Sequence, residues 1–229
     1  MTDSLLDIAR LGGTTMGTTW SVSLVAPRQR DLHPLHAGIQ ARLDEVVAQM
    51  STWEPGSDLS RYNRADAGQW CVLPAETRHV LTCAQAIAST SGGAFDPTVG
   101  PLVALWGFGA HAGERRQPDD ATLQATRDRC GWQRLQWQDD ALLQPGGLEL
   151  DLSEIAKGFG VDHVAAWLRT QGITAALVEV GGELFGYGEK QSLLRSLQPY
   201  YAGISQTAAV IQSHSEKQGF LKGLYENFY

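Results

Sequence analysis

The chain has 229 residues, with 18 basic and 25 acidic side chains, a net charge of −7 and 43% hydrophobic residues. That balance disfavours a nucleic-acid partner, because phosphate backbone rewards clustered Lys and Arg, and the composition is globular, not disordered. No apolar run approaches the roughly 18–20 residues needed to span a bilayer, so no transmembrane segment is expected. Length suggests one large domain or two small ones. The three cysteines, Cys71, Cys83 and Cys130, are odd in number and lack CxxC spacing. They read as small buried hydrophobes, not as a disulfide framework or a zinc ribbon.

The N-terminus carries Asp3 and Asp7 before its first base, Arg10. It has neither the basic start nor the long apolar stretch of a signal peptide, which gives a cytoplasmic expectation for the chain as encoded. Residues 17–25 alternate, with Trp20, Val22 and Leu24 on one face, and predict a half-buried strand. Leu35, Ile39, Leu43, Val46, Val47 and Met50 recur in steps of three and four, predicting an amphipathic helix over residues 33–50. Residues 51–64 are polar, with Pro55-Gly56 as a turn signal. A second helical pattern covers residues 74–90 and ends at Ser91-Gly92-Gly93. Residues 96–109 read as a loop with a short apolar stretch.

Residues 118–130 predict a short surface helix stopped by Gly131. Residues 132–137 and 141–144 predict a hairpin across Asp139-Asp140, and residues 148–152 a further strand. A helix over residues 153–168 and a strand over residues 175–180 follow, the strand ending at Gly181-Gly182. Interspersed helices and hairpin-like strand pairs define an α+β fold with a mixed, largely antiparallel sheet and packed helices.

Five segments could carry chemistry. Thr14-Thr15-Met16-Gly17-Thr18-Thr19 offers small residues at a strand mouth, either a plain turn or a place where backbone N–H groups approach a ligand. In residues 50–63, Trp53 could stack on a flat ring and Arg61 could meet a phosphate, or the segment is a solvated connection with one aromatic anchor. Phe95-Asp96-Pro97-Thr98 forms a rigid turn that would fix Asp96 in one direction, for structure or for ligand hydrogen bonds. Residues 150–160 place Asp151, Glu154 and Lys157 where a strand hands over to a helix. Asp151 could be an N-cap there, and the helix start with Lys157 could hold an anion. Val178-Glu179-Val180-Gly181-Gly182-Glu183 ends a strand on a glycine pair, which makes room for a ligand or another backbone.

Taken in order, these blocks resemble the ApbE family of FAD:protein FMN transferases over residues 11–188. The resembling stretches are Thr-Met-Gly-Thr, Met-Ser-Thr-Trp-x-Pro-x-Ser-Asp-Leu-Ser-Arg-Tyr-Asn, Phe-Asp-Pro-Thr-Val-Gly-Pro, Asp-Leu-x-x-Ile-Ala-Lys-Gly and Val-x-Val-Gly-Gly-Glu. The resemblance implies a protein that binds FAD and Mg²⁺, transfers FMN to a Thr or Ser hydroxyl of an acceptor flavoprotein and releases AMP. It implies FAD contacts at Met16, Trp53, Ala94, Phe95, Asp96, Asp151 and Lys157. Trp53 stands where the family usually has a stacking tyrosine, and Glu154 stands where a backbone carbonyl serves the metal. The family is often exported or membrane-anchored.

Past the Val-Gly-Gly-Glu block, the family's Asp-Ala-x-x-Thr-like metal-ligand motif has no counterpart in residues 191–229. The expectation is therefore a truncated flavin transferase-like domain over residues 1–189, incomplete at its C-terminus, and a non-matching helical tail over residues 190–229. A chimeric or frameshifted reading frame would explain such a tail. The alternative function is then a catalytically incomplete flavin- or nucleotide-binding remnant.

Overall fold

A computed structural model describes residues 6–110 and 117–188. Strand β1 (Leu6–Thr15) runs antiparallel to β2 (Thr18–Pro27) in unbroken register from Leu6↔Pro27 to Thr15↔Thr18. The alternation of β2 is realised as expected: Trp20, Val22 and Leu24 are buried, whereas the serines and threonines between them are not. Helix α1 (His33–Met50) has the bounds its periodicity predicts, and buries Leu35, Ile39, Leu43, Val46 and Met50. A short helix α2 (Asp58–Asn63) follows inside what reads in sequence as a polar loop.

Strand β3 (Trp70–Val72), helix α3 (Ala75–Thr90) and the short α4 (Gly100–Leu105) come next. Helix α5 (Asp120–Arg127) is capped by Asp119, whose carboxylate accepts the Thr122 N–H. The 132–137 strand expectation is corrected: Trp132–Arg134 is a single 3-10 turn, and only β4 (Trp137–Gln138) pairs with β5 (Ala141–Leu143) across Asp139-Asp140. Helix α6 (Ala156–Thr170) leads to β6 (Ala176–Val180) and β7 (Glu183–Tyr187).

Two sheets result, ordered β1-β2-β6-β7 and β3-β5-β4, and every described strand pair is antiparallel. One core lies between the four-stranded sheet and helices α1 and α6, built on Trp20, Leu24, Ile39, Leu43, Val164 and Leu168. Gly38 of α1 is needed there, since a Cβ at that position would stand 2.1 Å from the Trp167 ring of α6. The second core gathers Val46, Leu59, Tyr62, Leu81, Leu142, Leu148, Leu150 and Leu152. Burying a dozen such side chains at roughly 1.5–3 kcal/mol each supplies the driving force that a chain of this size needs.

The predicted strand at residues 148–152 is the instructive miss. Leu148, Leu150 and Leu152 are buried in alternation, as a strand would bury them, yet no strand among the described residues pairs with this segment. Side chains and a loop replace the ladder. The Gln144 amide donates to the Leu148 carbonyl and accepts from the Leu148 N–H. The Asn63 amide does the same for Leu150 at 2.9 and 2.8 Å. The Asp151 N–H donates to the Pro97 carbonyl. Buried backbone groups must be paired, but the pairing need not come from another strand. The expected tail helices, and most of the boundary region near residue 189, lie outside the described residues.

Candidate functional site

A cavity of about 680 Å³ opens where three remote parts of the chain meet. Its size falls in the range that takes drug-sized ligands and cofactors. The first contributor is the β1–β2 turn. Met16 and Gly17 have φ of 49° and 71°, the left-handed pair of a two-residue hairpin turn whose twist matches the flanking strands. Glycine accepts this conformation freely. Methionine does so at a cost, and its side chain lies against the cavity and near Gly160 of α6.

The second wall is the C-terminal end of α1, with Val46, Val47 and Met50, continued by residues 51–54. Trp53 sits on this wall and is 70% exposed, so most of its ring is open for stacking. The loop carrying it is fixed by its own hydroxyls. Ser51 Oγ accepts the N–H groups of Trp53 and Glu54 at 3.1 and 3.2 Å. The third wall is the entry to α6, with Ser153, Ala156 and Lys157. Lys157 stands in the first helical turn and donates to the Ser153 carbonyl at 3.1 Å. It is the wall's cationic group, at the helix end where the dipole favours anions.

The Asp151 expectation shifts. Helix α6 begins at Ala156 with Ile155 at the cap position, so Asp151 is not its N-cap. Its carboxylate instead accepts the Ser153 N–H at 2.8 Å, turning the chain toward the helix. Glu154 is exposed in that turn.

Of the anticipated contacts, the structure brings together Met16, Trp53 and Lys157 on one cavity, with Asp151 and Glu154 flanking Ser153. Ala94, Phe95 and Asp96 do not line it. Asp96 is engaged by the protein itself: Oδ1 accepts the Thr98 N–H at 2.8 Å and the Thr98 hydroxyl at 2.6 Å, and Oδ2 accepts the Trp132 N–H at 3.1 Å. About four acceptor sites exist on a carboxylate, so three are taken. Arg61 is likewise committed, to the Asp58 carboxylate and the Gly56 carbonyl, and not to the cavity.

Sequence reading missed the apolar floor. Val46, Val47 and Met50 belong to a helical stripe, and nothing in that stripe marks its last turn as a cavity wall. Magnesium prefers hard oxygen ligands, of which Asp151 and Glu154 offer two carboxylates and the Glu154 carbonyl. Among the described residues, no group of three or more His, Cys, Asp or Glu side chains could hold a metal ion.

Fold and cavity define an α+β protein whose pocket has an aromatic wall, an apolar floor and a cationic wall. Comparison with known proteins sharpens that class. The ApbE family model matches residues 16–225, and the chain belongs to this family. It is 40% identical over 176 residues to the FAD:protein FMN transferase of Vibrio cholerae serotype O1, covering 76% of this chain and 53% of that protein. To the enzyme of the same name from Escherichia coli K12 it is 33% identical over 188 residues, covering 80% and 53%. Among solved structures, the flavin transferase ApbE from Vibrio cholerae superposes with a TM-score of 0.78 at 38% identity, over 82% of this chain and 61% of that one. The apo flavinyl transferase ApbE of Pseudomonas stutzeri gives 0.77 at 34% identity, over 82% and 64%. The chain thus spans about half the length of the curated relatives it matches. No helix among the described residues is long and apolar enough to cross a membrane.

Proposed function

We propose that the chain carries the FAD-binding part of an FAD:protein FMN transferase. The hydroxyl oxygen of a Thr or Ser on an acceptor flavoprotein attacks the FMN-side phosphorus of FAD. The bond from that phosphorus to the bridging oxygen breaks, AMP leaves with the bridging oxygen, and the hydroxyl proton is lost to solvent or a base. Such phosphoryl transfer depends on positioning and charge neutralisation more than on covalent chemistry by the protein. Met16 and Trp53 hold the isoalloxazine, Trp53 by stacking. Lys157 and the start of α6 take the diphosphate, and Asp151 shapes the turn leading to them. Asp96 acts at one remove: it fixes the turn whose Pro97 carbonyl receives the Asp151 N–H. Ala94 and Phe95, next to it in sequence, contribute through the same turn. Mg²⁺, with the Glu154 carbonyl as one ligand, is the metal the reaction would use.

The observation that carries this reading is the convergence of Met16, Trp53 and Lys157 on one cavity from positions up to 141 residues apart in sequence. The test is to incubate the purified chain with FAD, with and without Mg²⁺, and to follow AMP by chromatography. AMP release that depends on the metal supports the transferase. FAD retained without AMP points to a flavin binder that does not turn over, and no FAD binding overturns the proposal.

A further inference from the structure

Helix α2 has six residues and lines no part of the cavity. Its hydrogen bonds nevertheless reach both sides of it. At its N-terminal end, the Ser57 hydroxyl donates to the Ser51 carbonyl at 2.6 Å and accepts the Ser60 N–H at 2.9 Å. The Ser60 hydroxyl donates to the same Ser51 carbonyl at 3.0 Å. Both serines are buried. Two hydroxyls thus converge on one carbonyl, and the hydroxyl of that same Ser51 holds the amides of Trp53 and Glu54. At the other end of α2, Asn63 grips Leu150 through both its backbone groups. The chain from Leu150 continues without interruption through Asp151 and Ser153 to Lys157.

We infer that α2 is a bracket that sets the aromatic wall and the cationic wall of the cavity at a fixed distance, with Ser57, Ser60 and Asn63 as positioning residues for the flavin and the diphosphate. The inference rests on the FAD reading above for the identity of the ligand, but not for the bracket itself. The physical reason is preorganisation. A ligand gripped at two ends binds weakly if either wall must be ordered first, since the ordering cost is subtracted from the contact energy. Short polar side chains on a rigid helical turn meet this need, because each buried bond fixes a backbone atom and not a mobile side-chain tip. The bracket also explains why Ser, Ser and Asn recur at steps of three in a segment that otherwise reads as solvated loop.

The test uses Ser60→Ala, which leaves the Ser51 carbonyl still bonded to Ser57 and so is compatible with folding, and Ser60→Thr, which keeps the hydroxyl. Amide hydrogen exchange without ligand reads the bracket directly. The expectation is faster exchange at Trp53 and Glu54 in Ser60→Ala, unchanged exchange in the middle of α1 and α3, and recovery in Ser60→Thr. Unaltered exchange at Trp53 and Glu54 overturns the bracket. The FAD arm is a double-mutant cycle with Trp53→Ala, followed by flavin fluorescence. Ser60→Ala should weaken FAD binding about five-fold in the natural chain, the loss of one buried hydrogen bond. It should have almost no effect in the Trp53→Ala background, because the serine acts through the tryptophan. Equal effects in both backgrounds would mean a merely structural serine and would overturn the positioning role. If Trp53→Ala itself leaves FAD affinity unchanged, the stacking assignment falls with the positioning role, while the exchange arm still decides whether the bracket exists.

Discussion

Replacing Asp96 by alanine separates a ligand contact from a structural fastener. The carboxylate accepts three hydrogen bonds, two from Thr98 and one from the Trp132 N–H. Thr98 is fully buried, and its hydroxyl in turn accepts the Gly131 N–H at 2.7 Å. Asp96→Ala therefore removes the acceptor for two N–H groups and one hydroxyl at once. Hydrogen bonds to an ionised group contribute about 1.5–3 kcal/mol each, and three on one carboxylate are not additive, so the expected loss is about 3–5 kcal/mol. That is a large share of the roughly 5–15 kcal/mol that holds a domain folded. For a domain of this size it lowers Tm by about 10 °C. The assay is urea unfolding followed by far-UV circular dichroism, with the midpoint falling and the slope unchanged. FAD affinity is measured in parallel well below the melting range. Asp96→Asn, which keeps one acceptor oxygen but sets an NH₂ group against the Trp132 N–H, should fall between the two. If Asp96→Ala melts within 1 °C of the natural chain yet loses FAD binding, the carboxylate is a ligand contact and the fastener argument is wrong.

Lys157→Met should weaken FAD binding about ten-fold by removing a charge from the cationic wall, while riboflavin, which has no phosphate, binds unchanged; calorimetry with both ligands checks this, and a matching loss for riboflavin would remove Lys157 from the diphosphate. Gly181 has a φ of 54°, and a Cβ there would stand 2.7 Å from Thr18 Cγ2, so Gly181→Val should destabilise by about 2–4 kcal/mol in thermal melts. A melt matching the natural chain would contradict that crowding. Burial pushes the Tyr62 phenol above its ordinary value of 10.0, and its hydroxyl donates to the Leu143 carbonyl. Above pH 10 the unfolded chain releases this proton while the folded one keeps it, so ΔG of unfolding should fall as pH rises past 10. Urea midpoints between pH 8 and 11 test this, and an alkaline slope of the same size in Tyr62→Phe would assign it elsewhere.

Much of the fold is legible in the sequence where one periodicity dominates. Helix α1 and the buried face of β2 follow from apolar spacing alone, because each element buries one continuous stripe. Strands β1 and β7 are not legible. Each pairs along one side only among the described strands, and Leu6 and Leu184 remain exposed, so neither carries a clean alternation. Gly181-Gly182 correctly marks a turn, but only the register Val180↔Glu183 makes it the turn of a hairpin. Helix α2 escapes sequence reading because it is short: Leu59 and Tyr62 are its apolar anchors, too few to show a period, and the bonds of Ser57, Ser60 and Asn63 to backbone outside the helix leave no hydrophobic signal.

The α+β class and the elements with a strong apolar stripe are readable from the residues alone, and the family resemblance adds an expectation of which residues meet a flavin nucleotide. Motif order carries that much, since each block is local. Which of those residues share a cavity is a matter of long-range packing. It placed Met16, Trp53 and Lys157 on one wall system and turned Asp96 and Arg61 toward the protein's own backbone. A carboxylate or a guanidinium can serve a ligand or a buried amide equally well. Which one it serves depends on what the rest of the chain brings within about 3 Å of it, and local sequence does not contain that distance.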